Sequence, residues 1–249
     1  MKKKILAMCL VVALAMTAIA GATLAYFTDT DAKTNVFTSG DVAIKLIEQQ
    51  RRDDQDQNHY DPFLGKNHAK LIPYTGEEGT MVLAKNYVDK IVNVENKGSE
   101  DAYVRVLVAV PVALKDALHI DWNSKAWSDA KVIGQAMIQD DTQAEKVLCD
   151  VYSTTYQKAL KPGATTKDQA MWGLYLNPAV DCDRDNDFQY TLNGTPINYN
   201  LTAGMQIPVV AQAVQVAGFD TPEAAFEAAY GVGNLTELPE GWDVYPPIA

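Results

Sequence analysis

The sequence is poor in the residues on which most catalytic sites depend. Its three histidines are His59, His68 and His119, and no two of them have the spacing of a His-Glu-x-x-His zinc motif. Serine is sparse, and neither a Gly-x-Ser-x-Gly motif nor a Gly-rich phosphate loop occurs. A zinc hydrolase needs three protein ligands, and a serine hydrolase needs a positioned histidine. We therefore expect a protein that is not an enzyme and has no cofactor.

Cysteine and long apolar runs are also scarce. Cys9 lies in the apolar run near the N-terminus, which leaves Cys149 and Cys182 in the rest of the chain. One such pair in an exported chain could form a disulfide, or both thiols could stay free, and the sequence leaves both alternatives open. No second apolar run is long enough to cross a bilayer, so we expect no membrane contact once the first segment is removed.

The first 25 residues have the order of a secretory signal peptide. Lys2, Lys3 and Lys4 form a cationic head, and an almost unbroken apolar run extends from Ile5 to Ala20. Small residues then lead to Ala25, where a signal peptidase would cut before Tyr26. The apolar run is short for the roughly 20 residues that span a bilayer. The pattern predicts an exported protein whose mature chain is residues 26–249, folded as a single domain.

Acidic residues outnumber basic residues in the mature chain. The whole sequence has 21 Lys and Arg against 32 Asp and Glu, and losing the three lysines of the signal takes the net charge from -11 to -14. Such a surface disfavours nucleic acid and anionic membranes as partners. It favours solubility, cation binding or charge-dependent self-association.

Short strands separated by polar turns dominate the mature chain. A Gly98-containing turn separates two of them, with the glycine at a position suited to positive φ. Helical signals are strongest near the C-terminus, where Thr221 is an N-cap, Pro222 fits the first helical turn and Gly231 can end the helix. The predicted strands are Val36–Ile47, Met81–Val94, Ala102–Val112, Tyr152–Leu160, Gln169–Leu176 and Met205–Val216. This order predicts an all-β protein, an antiparallel β-sandwich of jelly-roll type with short helical insertions and a C-terminal helix.

Four sequence blocks together resemble the TasA/camelysin family of exported Gram-positive proteins. The first combines the aromatic pair Tyr26-Phe27 and an acid with Asn-x-Phe-x-x-Gly at Asn35–Gly40. The others are Val92–Val106, Tyr156–Thr166 and Ala211–Phe219. The resemblance implies cleavage near Ala25 by a SipW-type signal peptidase, with Tyr26 or Phe27 as the first residue of the mature chain, and a sandwich fold. Residues 48–80 and 113–150 fall outside the blocks and are predicted to be insertions.

Two isolated features have more than one interpretation. Asp181, Asp183, Asp185 and Asp187 alternate as in a calcium loop, but Gly and Glu are missing where an EF-hand requires them. They predict either an irregular Ca²⁺ site or a solvated acidic turn. Arg105 interrupts an apolar strand; we expect it to be exposed or semi-exposed on the outer face, the alternative being burial beside an acid.

The preferred functional hypothesis is a secreted structural protein of a biofilm matrix or of cell-surface fibres. Its partners would be further copies of itself or related matrix subunits. An extended N-terminal segment can complete a neighbour's sheet by strand addition, and we expect residues 26–37 to be that donor, with Tyr26, Phe27, Val36 and Phe37 as anchors. The alternative is a monomeric surface binding module, Ca²⁺-dependent through the aspartates, with Trp122 and Trp127 as exposed aromatics. A camelysin-like metalloprotease is retained because the family includes such descriptions.

Overall fold

A computed structural model describes residues 28–32, 42–51, 71–73, 87–183, 189–231, 235 and 238–245. These residues form three antiparallel sheets. A six-stranded sheet has the order β1 (Thr28–Ala32), β13 (Val209–Gln215), β5 (Ala102–Pro111), β8 (Val147–Thr155), β7 (Lys131–Ile138), β14 (Trp242–Tyr245). A five-stranded sheet has the order β3 (Leu71–Pro73), β2 (Ile44–Arg51), β4 (Val88–Asn96), β9 (Met171–Leu176), β6 (Leu118–Trp122). A small sheet contains β10 (Val180–Asp183), β11 (Gln189–Leu192) and β12 (Thr195–Pro196).

The two large sheets share one hydrophobic core. Alternate residues of β5, including Val104, Val106 and Val108, belong to the same buried cluster as Ile44 of β2 and Val92 of β4. Since successive side chains of a strand point to opposite faces, these residues define the inner face of each sheet. The all-β antiparallel fold is therefore confirmed, and the shared core fits a sandwich, whose jelly-roll type stays a prediction.

The outer face of the six-stranded sheet is covered as well, which explains why every residue of β5 is buried. Helix α1 (Pro222–Tyr230) packs Phe226 and Tyr230 over Tyr103 of β5. Farther along the sheet, Leu235 and Trp242 belong to a separate cluster with outer-face residues of β5, β7, β8 and β13. The central strands are consequently apolar on both faces.

Helix α1 has the boundaries that its local sequence predicts. The Thr221 hydroxyl accepts a hydrogen bond from the Ala224 backbone N–H, and Pro222 occupies the first turn. Gly231 ends the helix with φ of 78° and donates its N–H to the Glu227 carbonyl. The other helical segments among the described residues are two 3-10 turns, Val112–Leu114 and Leu201–Ala203.

The connection between β4 and β5 differs from the expected turn. Gly98 does not have a positive φ, and the two strands belong to different sheets, so the segment crosses from one layer to the other. Fully buried Asn96 fixes this crossing, since its side-chain amide donates to the Glu100 and Leu160 carbonyls and its oxygen accepts from the Gly98 N–H.

The segments predicted to be insertions contribute strands to both large sheets. Residues 48–80 contain the end of β2 and all of β3, and residues 113–150 contain β6, β7 and the start of β8. Because β8 lies between β5 and β7, the second segment is part of the sheet framework. Whether either segment is an insertion relative to the family stays a prediction.

Candidate functional site

Strand β1 forms one edge of the six-stranded sheet and lies within the segment predicted to be a donor strand. It pairs antiparallel with β13 over five positions. Thr28, Thr30 and Ala32 lie opposite Val214, Gln212 and Val210, which are the outer-face residues of β13. The two aspartates between them lie opposite inner-face alanines: Asp29 opposite Ala213 and Asp31 opposite Ala211.

Strand β13 has the character of an interior strand. All residues from Val209 to Val214 are buried, and on its other side the strand pairs with β5 over seven positions. Apolar strands with a free edge tend to pair with other chains, so stable proteins keep such an edge covered. Here β1 covers it, although β1 itself, Thr-Asp-Thr-Asp-Ala, contains no large apolar residue.

A buried polar pair lies on the outer face behind this edge. Arg105 of β5 is 7% exposed, and Gln212, directly opposite it on β13, is fully buried. The Arg105 Nε donates to the Gln212 Oε1 at 2.7 Å. The guanidinium carbon also lies 4.8 Å from the Phe226 ring centroid and 4.6 Å from that of Tyr230. The expectation of an exposed Arg105 is wrong because helix α1 covers this face of the sheet.

The described residues around Arg105 do not provide a hydrogen-bond acceptor for every donor of its guanidinium group. Its Nη2 is buried and has no hydrogen-bond partner among the described residues. Burial lowers the pKa of Arg105 to about 10, although the neighbouring Tyr230 hydroxyl opposes the change. The group still carries its charge at neutral pH. It is a cationic donor without acid–base or nucleophilic chemistry, and it suits recognition of an acceptor oxygen.

The residues predicted for cleavage and self-assembly lie outside the described residues. These are Ala25, Tyr26, Phe27, Val36 and Phe37. Their predicted roles stay predictions, and only the central part of the donor segment, Thr28–Ala32, is placed by the structure.

The predicted calcium loop is only partly described. Asp181 is exposed and lies in β10 with Asp183, whereas Asp185 and Asp187 lie outside the described residues. The Asp181 carboxylate accepts a hydrogen bond from the Cys182 N–H at 2.8 Å. Within the described ranges, no group of three or more His, Cys, Asp or Glu side chains is placed to hold a metal ion. Calcium binding by the whole loop stays a prediction.

Both cysteines are free thiols, so the structure matches the unpaired alternative rather than a Cys149–Cys182 disulfide. Cys149 is buried in β8, and burial, together with Asp140 and Asp150 nearby, raises its pKa to about 12. A thiol with so high a pKa is mostly protonated at neutral pH and a weak nucleophile.

The aromatic residues expected to be exposed are not available as a binding platform. Trp127 is 2% exposed, and its indole N–H donates to the Asp168 carbonyl. Trp122 is half-buried and packs against the core between the sheets. His119 is exposed at the edge strand β6, where it stacks on Tyr175.

Two polar features were not predicted from the sequence. Gln212 could have been noticed, since it is the polar residue at an outer-face position of the otherwise apolar run Val209–Val214. No feature of the sequence indicated that Asp140 is buried. It is buried and accepts hydrogen bonds from the Tyr199 hydroxyl, the Thr142 hydroxyl and the Thr142 N–H, and thereby ties the β7–β8 loop to the segment before β13.

Comparison with known proteins gives one match. Residues 1–51 match the model of a family described as camelysin metallo-endopeptidase. The match confirms the resemblance over this segment, which ends with β2 and contains none of the three histidines. The family's description does not support the expectation of a protein without enzymatic activity. No curated protein and no solved structure matches the chain. No helix in the described part of the chain has the length and apolar character needed to cross a membrane.

Proposed function

We propose that this chain is an exported structural subunit that polymerises outside the cell. In the polymer, the N-terminal segment of one copy completes the six-stranded sheet of the next. The observation that carries the proposal is the contrast at the sheet edge. Strand β13 is apolar and buried, as is typical of a strand in the interior of a sheet. The strand that covers its edge, β1, is polar and lies close to the N-terminus.

The chemistry of β1 suits an exchangeable strand. Strand addition takes its affinity mainly from backbone hydrogen bonds, which any copy of the same segment can form. Because β1 contributes no large apolar side chain, little of the core depends on which copy supplies it. Exchange of an identical element between copies is a low-cost route to assembly.

The N-terminal sequence supports the exported location. The signal-like pattern of residues 1–25 and the family match over residues 1–51 both concern this end of the chain. We therefore propose processing between Ala25 and Tyr26 by a SipW-type signal peptidase. The donor segment, residues 26–37, would then begin at the new N-terminus, where it is free to reach a neighbour.

The test uses the mature chain, beginning at Tyr26, in negative-stain microscopy and size-exclusion chromatography over a range of concentrations. We expect filaments whose amount increases with concentration. Deleting residues 26–37 should abolish the filaments and leave a folded monomer. Tyr245→Lys is the matched control, because Tyr245 is exposed on β14 at the opposite edge of the same sheet. A mature chain that stays monomeric, or filaments that survive the deletion, would contradict the proposal.

A peptidase activity is the second candidate, favoured by the description of the matched family alone. Among the described residues, no group of three or more His, Cys, Asp or Glu side chains is placed to hold a metal ion. His59 and His68 lie outside those residues, which leaves them as candidate ligands. Casein digestion with and without a chelator tests this candidate directly. Chelator-sensitive cleavage that is lost in a His59→Ala, His68→Ala double variant would establish it.

A further inference from the structure

We infer that a strand added beside β13 by a second copy lies one residue out of register with the intramolecular β1. In that register Asp29 or Asp31 lies opposite Gln212 and pairs with Arg105. The inference rests on the proposed function, because it concerns the contact between two copies. It identifies the group that the acceptor sheet recognises as a carboxylate of the incoming strand.

The first observation is the unsatisfied guanidinium. Arg105 is buried beneath helix α1, and its Nη2 has no hydrogen-bond partner among the described residues. A buried charged donor without an acceptor destabilises a folded protein, so an acceptor that enters the site stabilises the complex. A carboxylate is the strongest such acceptor for a guanidinium.

The second observation is the position of the guanidinium. Its Nε already donates to the side chain of Gln212, so the group reaches from β5 to β13. Neighbouring strands lie about 4.8 Å apart. The residue of the added strand opposite Gln212 is therefore one strand spacing beyond β13. In the intramolecular pairing this position holds Thr30.

The third observation is the placement of the two aspartates. In the intramolecular register, Asp29 and Asp31 lie opposite Ala213 and Ala211, which belong to the core between the sheets. A slip of one residue exchanges the two faces of a strand. A slip in either direction brings one aspartate opposite Gln212 and leaves Thr30 opposite an alanine.

The covalent connection differs between the two arrangements. Within one chain, Ala32 precedes Val42, which is fully buried in the core, by ten positions. A strand that comes from another copy is not tied to the Val42 of the acceptor, so side-chain pairing with Arg105 can set its register.

The test measures the critical concentration for assembly of the mature chain and the melting temperature of its monomer. The variants are Asp29→Asn, Asp31→Asn and, as matched control, Thr30→Ser. We expect one of the two aspartate variants to raise the critical concentration at least tenfold, because charge-assisted hydrogen bonds are roughly twice as strong as neutral ones. The control and the other aspartate variant should change it little. The melting temperatures of the variant monomers should not follow the order of their critical concentrations. In an Arg105→Gln background, the effect of the sensitive aspartate should disappear.

The outcomes separate this inference from the proposed function. If the unmodified mature chain does not assemble, strand addition itself is wrong. If it assembles and both aspartate variants match it, the shifted register is wrong and strand addition stands. If Arg105→Gln does not fold, solid-state NMR of filaments from differently labelled copies reads the register directly. A contact of Gln212 with Asp29 or Asp31 supports the inference, and a contact with Thr30 overturns it.

Discussion

Replacing both Arg105 and Gln212 should leave the stability of the fold nearly unchanged, whereas replacing either residue alone should lower it. We consider Arg105→Met, Gln212→Leu and the double variant, all of which keep side chains of similar length. Gln212→Leu leaves the buried guanidinium without its hydrogen-bond acceptor. Breaking a buried charged contact by removing one partner costs about 3–5 kcal/mol, and this variant should be the least stable.

The other two magnitudes follow from the same contacts. Arg105→Met removes the Arg105 donor from the Gln212 oxygen, which costs about 1–3 kcal/mol. It also removes the stacking on Phe226 and Tyr230, worth about 1–2 kcal/mol at a desolvated site. Against this, it removes the cost of burying a charge, which is also what lowers the pKa of Arg105. The double variant removes the charge and the polar group opposite it together, so it should lie within about 1 kcal/mol of the unmodified chain.

Urea denaturation of the four proteins as monomers, followed by far-UV circular dichroism, measures these differences. We expect a strongly non-additive cycle, with the double variant at least about 2 kcal/mol more stable than the sum of the single changes predicts. The double variant should nevertheless assemble poorly, because it no longer offers a cation to the added strand. Additive single effects would refute the account of the pair, as would a double variant that is the least stable of the four.

Four further predictions concern the rest of the fold. In the mature chain, half-buried Cys182 should react with a thiol reagent in the native state, whereas buried Cys149 should react only on unfolding. Because the folded state raises the Cys149 pKa to about 12, the thiol's contribution to stability is fully present below about pH 9. It is lost as the pH rises towards 12, a decline that denaturation curves of Cys149→Ala should not share. Gly173→Ala should destabilise the five-stranded sheet by about 1–3 kcal/mol in thermal melts, since the added Cβ would lie 2.3 Å from a carbonyl oxygen of β4. Asp140→Ala should cost about 2–3 kcal/mol by leaving the buried Tyr199 hydroxyl unsatisfied, measurable by urea denaturation, whereas Tyr199→Phe should cost less.

The features that the sequence predicted well depend on neighbouring residues. Helix α1 follows from Thr221, Pro222 and Gly231, which act within one or two turns. Period-2 alternation likewise located β5, β9 and β13 to within four residues, whereas the strand predicted at Tyr152–Leu160 begins five residues after the start of β8.

The features that the sequence did not predict depend on residues that are far apart along the chain. Alternation placed Arg105 correctly on the outer face, but could not show that a helix more than a hundred residues later covers that face. Nor could it show that the Glu95–Asp101 turn joins two different sheets, because the partners of β4 and β5 come from β2 and β13. The pairing of β1 with β13 joins segments that are far apart in the sequence, such as Thr28 and Val214, and no local pattern specifies it.

The most direct test of the account asks which copy supplies the strand beside β13. A photoreactive amino acid at Ala32, which lies opposite Val210, would cross-link to β13 in filaments grown from equal amounts of ¹⁴N- and ¹⁵N-labelled mature chains. Mass spectrometry of the linked peptides then distinguishes the two arrangements. Strand addition between copies predicts that about half of the linked peptides combine one light and one heavy part. Linked peptides that are all light or all heavy would show that β1 stays in its own chain and would contradict the central claim.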